Sequence, residues 1–418
     1  MKRCFSPIFV LSAMLPVLCS CTCFRALKWG MADALDAGRF VQDTVSRGGA
    51  AFRFVEQPAN KRVLDTLHIV YRHGRAFTLG EWMRQTRGGS ALLVLHGDTV
   101  VYEDYVEPYA RDVRSCVFSV SKSLTALLCG VAVREGKIRS VDDAVTDYVP
   151  ELKDCDPMFG RLTIRHLLDM RAGFDFDENY SFNPFSKMAR LYYRTNSMKS
   201  ILGAGFRHAP GERYGYNSLT TALLGVVIER AVGMPFARYM SEKVWSPLGM
   251  EYDATVALDG RRHRVAKAYG GISACARDLA KVARLYVSRG NWHGRQIVDT
   301  AWVDVTAHGK PYNEGYSHGF YTMQWMLRGD GGGVAFADSL SVARRFDATG
   351  VPADSRKYIE YADGTWSGLM PSPHYYMLGL YGQVVFICPE NGYVLVRLGE
   401  NKGDEYQLVF DSLAALMP

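Results

Sequence analysis

The sequence predicts an α+β fold: one antiparallel sheet from N- and C-terminal strands, flanked by helices, with a mostly helical lobe inserted between them. Three observations carry that expectation. Two β-rich runs, "ALLVLH" (91–96) and "TVVYEDYV" (99–106), surround a Gly-Asp turn. Far along the chain, "YYMLGLYGQVVFI" (375–387) and "YVLVRLG" (393–399) surround a Pro-Glu-Asn-Gly turn. Between about 138 and 310 helical periodicity dominates instead. Two distant hairpins can share one sheet, and a pocket between such a sheet and a second lobe is a usual place for chemistry.

The elements follow in chain order. Lys2 and Arg3 precede an apolar run, "FSPIFVLSAMLPVL" (5–18), too short and too proline-interrupted for a comfortable membrane span. It leads into "LCSC" (18–21), a lipobox-like pattern with Cys21 as the lipid acceptor, although Cys19 stands where a small residue is usual. A plain cleaved signal and an uncleaved anchor are the rival readings. Residues 1–20 are thus expected to be a signal peptide, 21–69 an N-terminal extension, and 70–415 the main domain.

After the first hairpin comes a helix through "FSVSKSLTALLCG", with Leu124, Leu127, Leu128 and Val131 at helical spacing and Gly136 near its end. "LTIRHLLDM" (162–170), "SLTTALLGVVIERAVG" (218–233) and "ARDLAKVARLYVSRG" (276–290) carry the helical lobe. Residues 328–371 fit no clean element and read as a long loop or surface excursion. "YQLVFDSLAALM" (406–417) predicts a closing helix.

Composition excludes several function classes. Of 418 residues, 48% are hydrophobic and 22% charged, the profile of a folded protein with a sizeable core. Of the six net positive charges, two belong to Lys2 and Arg3. The densest basic run, "RRHRVAK" (261–267), lacks the aromatics that stack on bases, so a solvated face is the better reading and no nucleic-acid partner is expected. Four of nine cysteines lie in or beside the targeting segment, and the other five are irregularly spaced. That pattern suits neither a disulfide framework nor a metal site, and no cofactor is expected.

Ser119 and Lys122 stand three apart at the start of an apolar helix, so the two side chains share a face. A serine hydroxyl needs a base before it attacks a carbonyl. Lysine can be that base if burial and a helix N-terminus lower its pKa from about 10.4. The same helix end offers the Ser119 N–H to an oxyanion. Ser-x-x-Lys also arises by chance, and alone it leaves an ordinary surface lysine as an equal reading. Tyr216-Asn217-Ser218, at the start of another helix, adds a phenol that can relay protons and a serine that can add a hydrogen bond. The plain alternative there is a tyrosine at an aromatic-rich helix start, followed by an N-cap serine.

Taken with those two motifs, "SVSKSLTALLCGVAVREGKIRSVDDAVTDYVPEL", "LTIRHLLDMRAGFDFDENY", "ARDLAKVARLYVSRGNWHGRQIVDTAWV" and "GLYGQVVFICPENGYVLV" carry a resemblance over roughly residues 70–415. The chain resembles the serine β-lactamase/penicillin-binding-protein superfamily, in the class C-like branch that includes esterases and 6-aminohexanoate-dimer hydrolases. The resemblance implies a β-lactamase/transpeptidase-like fold, Ser119 as nucleophile, Lys122 as its base and Tyr216 as second proton shuttle, with Ser218 completing the motif. It implies a second oxyanion N–H at Met377 or Leu378, and a substrate-side role for Tyr180. The chain departs from the family at His374-Tyr375-Tyr376, where β-lactamases carry Lys-Thr-Gly to grip a substrate carboxylate.

The expected function is a cell-envelope serine hydrolase acting on a small ester or amide through an acyl-enzyme, held to a membrane by a lipid on Cys21. Two alternatives stand beside it. One is a penicillin-recognising cell-wall peptidase or β-lactamase; the other is an inactive binding protein on the same fold.

Overall fold

The computed structural model describes residues 22–35, 37–57, 61, 64–66, 68–70, 76–85, 89–181, 183–308, 320–331, 338–348, 353, 356–360, 364, 366–400 and 409–410. The expected signal peptide (1–20), the acceptor Cys21 and all of the closing helix except Val409 and Phe410 lie outside them.

The described chain starts with helix α1 (Thr22–Trp29) and a short strand β1 (Val55–Glu56). Next come the first hairpin, β2 (Ser90–His96) and β3 (Thr99–Val106), and the helix α2 (Val120–Arg134). The lobe contributes α3 (Lys187–Tyr193), α4 (Ser218–Val232) and α5 (Ala276–Val287). The strands β4 (Phe320–Thr322), β5 (Trp325–Gly331), β6 (Lys357–Glu360), β7 (Trp366–Gly379), β8 (Gln383–Cys388) and β9 (Tyr393–Gly399) follow.

These strands form one sheet in the order β4-β5-β7-β8-β9-β2-β3-β1, with β6 on β7. β9 joins the two distant hairpins, pairing with β2 from Tyr393–His96 to Gly399–Ser90. All pairings are antiparallel except β1 with β3. The α+β expectation therefore holds. Its cause is legible in the strands: β2, β8 and β9 are buried nearly throughout because α2 and α5 cover one face, and the helix at Leu79–Gln85 with Val409 and Phe410 packs on the other. α2 is itself buried from Val120 to Ala132. A helix apolar on all sides belongs in the core of a protein this size.

Three expectations change. The run 375–387 is not one strand: it reverses at Leu380–Gly382 into β7 and β8, through Tyr381 and Gly382 in the left-handed region (φ 63° and 75°). Continuous hydrophobicity hides the reversal, and only the two flanking glycines signal it. The middle of the chain is less helical than expected. Ala254–Ala257 and Ile272–Ala274 join Gln42–Val45 and Ser115–Cys116 in a second, four-stranded sheet. Strands of two to four residues are too short to show a period. Finally, the described parts of 328–371 form β5, a helix at Ser339–Ala348, β6 and the start of β7, so they extend the sheet.

A buried ion network ties the lobe to the sheet. Arg277 of α5 is 1% exposed and donates to both carboxylate oxygens of Glu103 on β3, at 2.7 and 2.6 Å. It also donates to Glu56 of β1 at 2.9 Å and lies 3.5 Å from the buried Glu251. These carboxylates raise the Arg277 pKa against the opposing effect of burial. Removing one member of such a network strands buried charge. Arg277→Met is expected to lower the unfolding free energy by about 3–5 kcal/mol, read as an earlier urea midpoint. An unchanged midpoint would show that the network contributes no net stability.

Candidate active site

The small sheet aims the chain at the site. Ser115 and Cys116 pair with Ala274 and Ser273, and Val117 N–H donates to the Ile272 carbonyl at 2.9 Å. Phe118 then takes a left-handed conformation (φ 46°). That is unusual for a bulky residue and is held here by neighbours, since its ring meets Tyr381 edge-on at 5.6 Å. This sharp turn delivers Ser119 to the N-terminus of α2, as its N-cap, with a helical backbone (φ −67°, ψ −11°).

Lys122 is one turn further and 1% exposed. Its Nζ donates to Ser119 Oγ at 2.9 Å, Ser218 Oγ at 3.1 Å and the Tyr269 carbonyl at 2.8 Å. The three ammonium hydrogens thus have three acceptors. Nζ also lies 5.0 Å from the centre of the Tyr216 ring. Burial is the main influence on this lysine and lowers its pKa to about 8, while Glu178 pulls the other way. At that value a substantial fraction is neutral near physiological pH. A neutral amine 2.9 Å from Ser119 can accept the serine proton.

Ser218 is the first residue of α4, but the cap is Asn217. Its side-chain oxygen accepts from Thr220 N–H at 2.9 Å and its amide donates to the Gly215 carbonyl. The Ser218 hydroxyl is therefore left to receive Lys122. It also donates to Glu178 Oε1 at 2.6 Å, while Ser218 N–H donates to Glu178 Oε2 at 2.7 Å. A carboxylate at a helix N-terminus is favoured by the exposed N–H groups there. The Tyr180 hydroxyl donates to the same Glu178 oxygen at 2.7 Å and is also within hydrogen-bond reach of Ser119. Burial of its hydroxyl, with Tyr216 and Glu178 nearby, pushes its pKa well above 10, so it stays a donor.

The sequence candidates therefore separate. Ser119, Lys122, Ser218, Tyr216 and Tyr180 converge. Met377 is buried in the main core, in register with Val385, and Leu378 packs against the core on the other face of the sheet. Neither lines the cavity over Ser119; Leu380 does. Gly379 explains the shift, because a Cβ there would lie 2.3 Å from the Val117 carbonyl oxygen. β7 thus touches the nucleophile's strand at Gly379, and the turn beyond it faces Ser119. His374 also lies off the cavity, with its ring edge-on to Phe386 at 5.2 Å.

Glu178 was missed, although it stands two residues before Tyr180 in "DENY". Also missed was a wall formed by α1 and the residues after it. Ala26, Gly30, Met31 and Ala32 line the cavity opposite Phe118 and Leu380. They are held against α3, where the Tyr193 hydroxyl donates to the Gly30 carbonyl at 2.5 Å.

If Lys122 serves as the base, its neutral form is the reactive one, and activity should rise with pH through about 8 and fall below it. Glu178 opposes the fall in pKa, so Glu178→Gln should move the rising limb of the kcat/KM profile to lower pH. A limb that stays in place or moves upward would contradict this electrostatic account.

Known proteins resemble the chain in both sequence and fold. The 6-aminohexanoate-dimer hydrolase of Paenarthrobacter ureafaciens is 29% identical over 265 residues, covering 57% of this chain and 64% of that protein, just under two thirds of its length. A provisionally named 6-aminohexanoate-dimer hydrolase structure from Bacillus anthracis superposes with a TM-score of 0.71 at 21% identity, covering 94% of this chain and 93% of the other. A class C beta-lactamase superposes with a TM-score of 0.55 at 14% identity over 81% of this chain and 94% of its own. Those two likenesses establish a β-lactamase-like fold. The family model for beta-lactamases matches residues 62–408, most of the sequence, and the chain belongs to the beta-lactamase family.

Proposed function

We propose that this member of a serine hydrolase family cleaves an ester or amide through an acyl-enzyme on Ser119. The buried Lys122, held at 2.9 Å from Ser119 Oγ with its pKa lowered to about 8, carries the reading. Ser119 Oγ attacks the carbonyl carbon as Lys122 takes its proton. The N–H groups of Ser119 and Leu380 receive the developing oxyanion; Leu380 replaces Met377 and Leu378 because it faces the cavity. The tetrahedral intermediate breaks its bond to the leaving group, which Lys122 and Tyr216 protonate. Water then attacks the acyl-serine, releasing the acid and restoring the hydroxyl. Ser218, Glu178 and Tyr180 hold Lys122 and the substrate carbonyl in place.

The cavity bears on substrate class. Lys122 is the only Lys, Arg, Asp or Glu among the described lining residues, and Lys122 is engaged by the nucleophile. No other described lining residue supplies a cation to pair with a carboxylate. This favours neutral acyl groups over penicillins, and over the doubly charged 6-aminohexanoate dimer for which the curated relative is named. We further propose export to the cell envelope with a lipid on Cys21, supported by the residue pattern at 1–21. Globomycin should then block maturation; processing unaffected by it would exclude the lipid.

A fluorophosphonate probe should label the protein at Ser119, and Ser119→Ala should lose both labelling and p-nitrophenyl ester hydrolysis. Lys122→Ala should lower kcat/KM by about 10²–10⁴-fold. Labelling and turnover that survive Ser119→Ala would sink the assignment. Stable labelling by fluorescent penicillin would favour the cell-wall peptidase, and ligand binding without any turnover the inactive receptor.

A further inference from the structure

Large apolar side chains exposed to solvent are few among the described residues, and half of them gather at one place. Leu27, Met31, Tyr180 and Phe185 are 59%, 45%, 40% and 66% exposed. Met31 and Tyr180 line the cavity over Ser119, while Leu27 and Phe185 directly adjoin the lining residues Ala26 and Pro184. α1 packs on α3, which begins two residues after Phe185, so both segments border the same cavity. The other four exposed apolar residues, Val55, Val305, Leu340 and Tyr358, line no part of this cavity. A contiguous exposed apolar patch around a pocket mouth marks a contact surface.

Charge and chain order point to one occupant. Between the proposed lipid acceptor Cys21 and Ala32 the chain carries Arg25 and Lys28 and no acid, and Asp33 beyond them accepts from the Leu35 N–H at 2.7 Å. Acids near the rim are already engaged: Asp175 pairs with Lys187 and Arg207, Asp177 pairs with Arg207, and Glu178 accepts from Ser218 and Tyr180. The apolar run 5–18 ends three residues before α1 begins. Extended chain spans about 3.5 Å per residue, so either a lipid on Cys21 or retention of that run in the membrane would bring α1 within about 10–15 Å of the bilayer. A short helix with exposed apolar and basic residues suits the interface of an anionic membrane.

We propose that the rim formed by Leu27, Met31, Tyr180 and Phe185 docks on an anionic phospholipid bilayer, and that the hydrolase draws the acyl chain of a membrane-borne ester or amide straight into the cavity. The inference rests on the reading of Ser119 as nucleophile. The acyl group passes from its alcohol or amine to Ser119, the serine proton leaves with that group, and water returns a proton as the acid is released.

The docking half is tested without catalysis. Tryptophan is introduced in the full chain by Phe185→Trp, or by Val305→Trp as a control away from the cavity. Each variant is mixed with phosphatidylglycerol vesicles with and without brominated chains, and the wild-type signal is subtracted. Fluorescence added at 185 should shift to the blue and be quenched at least twofold by brominated lipid, whereas that at 305 should not. Position 185 lies far along the chain from the N-terminal segment, so quenching there reports the rim. Quenching at neither position, or equally at both, overturns the proposal. A blue shift that grows with protein concentration without lipid also overturns it, in favour of contact between copies of the chain.

The substrate half uses Leu27→Ser combined with Phe185→Ser. Hydrolysis of a long-chain 4-methylumbelliferyl ester in those vesicles should fall at least tenfold, with soluble acetate ester turnover within twofold of wild type. Equal loss on both substrates, or loss on neither, refutes it. If the wild type turns over neither ester while position 185 is still quenched, the hydrolase reading has failed and the docking has not.

Discussion

Everything at the site depends on keeping one lysine out of water. An exposed Lys122 would stay protonated and could take no proton from Ser119. Burial makes it a base, but burial of an ammonium is unfavourable unless its hydrogens are matched. The fold resolves that conflict by surrounding Nζ with Ser119 Oγ, Ser218 Oγ and the Tyr269 carbonyl, which come from three separate segments. Glu178 stands behind Ser218 rather than against the amine. A carboxylate in direct contact would raise the lysine pKa and undo the effect of burial.

The two larger sheets each position part of that arrangement. The small sheet fixes the strained turn at Phe118, and the large sheet brings the Leu380 turn up to it through the contact between Gly379 and Val117. α4 presents Ser218 because Asn217 caps the helix in its place. No single element holds more than part of the site, so relative placement matters more than local geometry. The Arg277 network, joining α5 to β3 and β1, is one of the clamps that keep the parts in register.

What could be read in the sequence is what is local. Ser119 and Lys122 meet within one turn of one helix, and the two hairpins declare themselves by β-rich runs and turn residues. Glu178 reaches Ser218 across 40 positions of chain, through a loop with no periodicity. The place of Leu380 at the cavity was hidden because its apolar neighbours merge two strands into one apparent run, and the expectation fell on Met377 or Leu378 instead. The wall made by α1 was hidden differently. An eight-residue helix shows that it is amphipathic, but nothing in its letters names α3 as its partner.

That wall separates two properties usually made together. The groups around Lys122 come from residues 119–269, while part of the cavity wall comes from α1 and Met31, ahead of the stretch the family model matches. In synthesis this segment is made early but can dock only after α3 has emerged, more than 150 residues later. Its docking closes a cavity whose reactive centre is assembled without it. Substitutions in α1 can therefore reshape the cavity wall without touching the groups around Lys122.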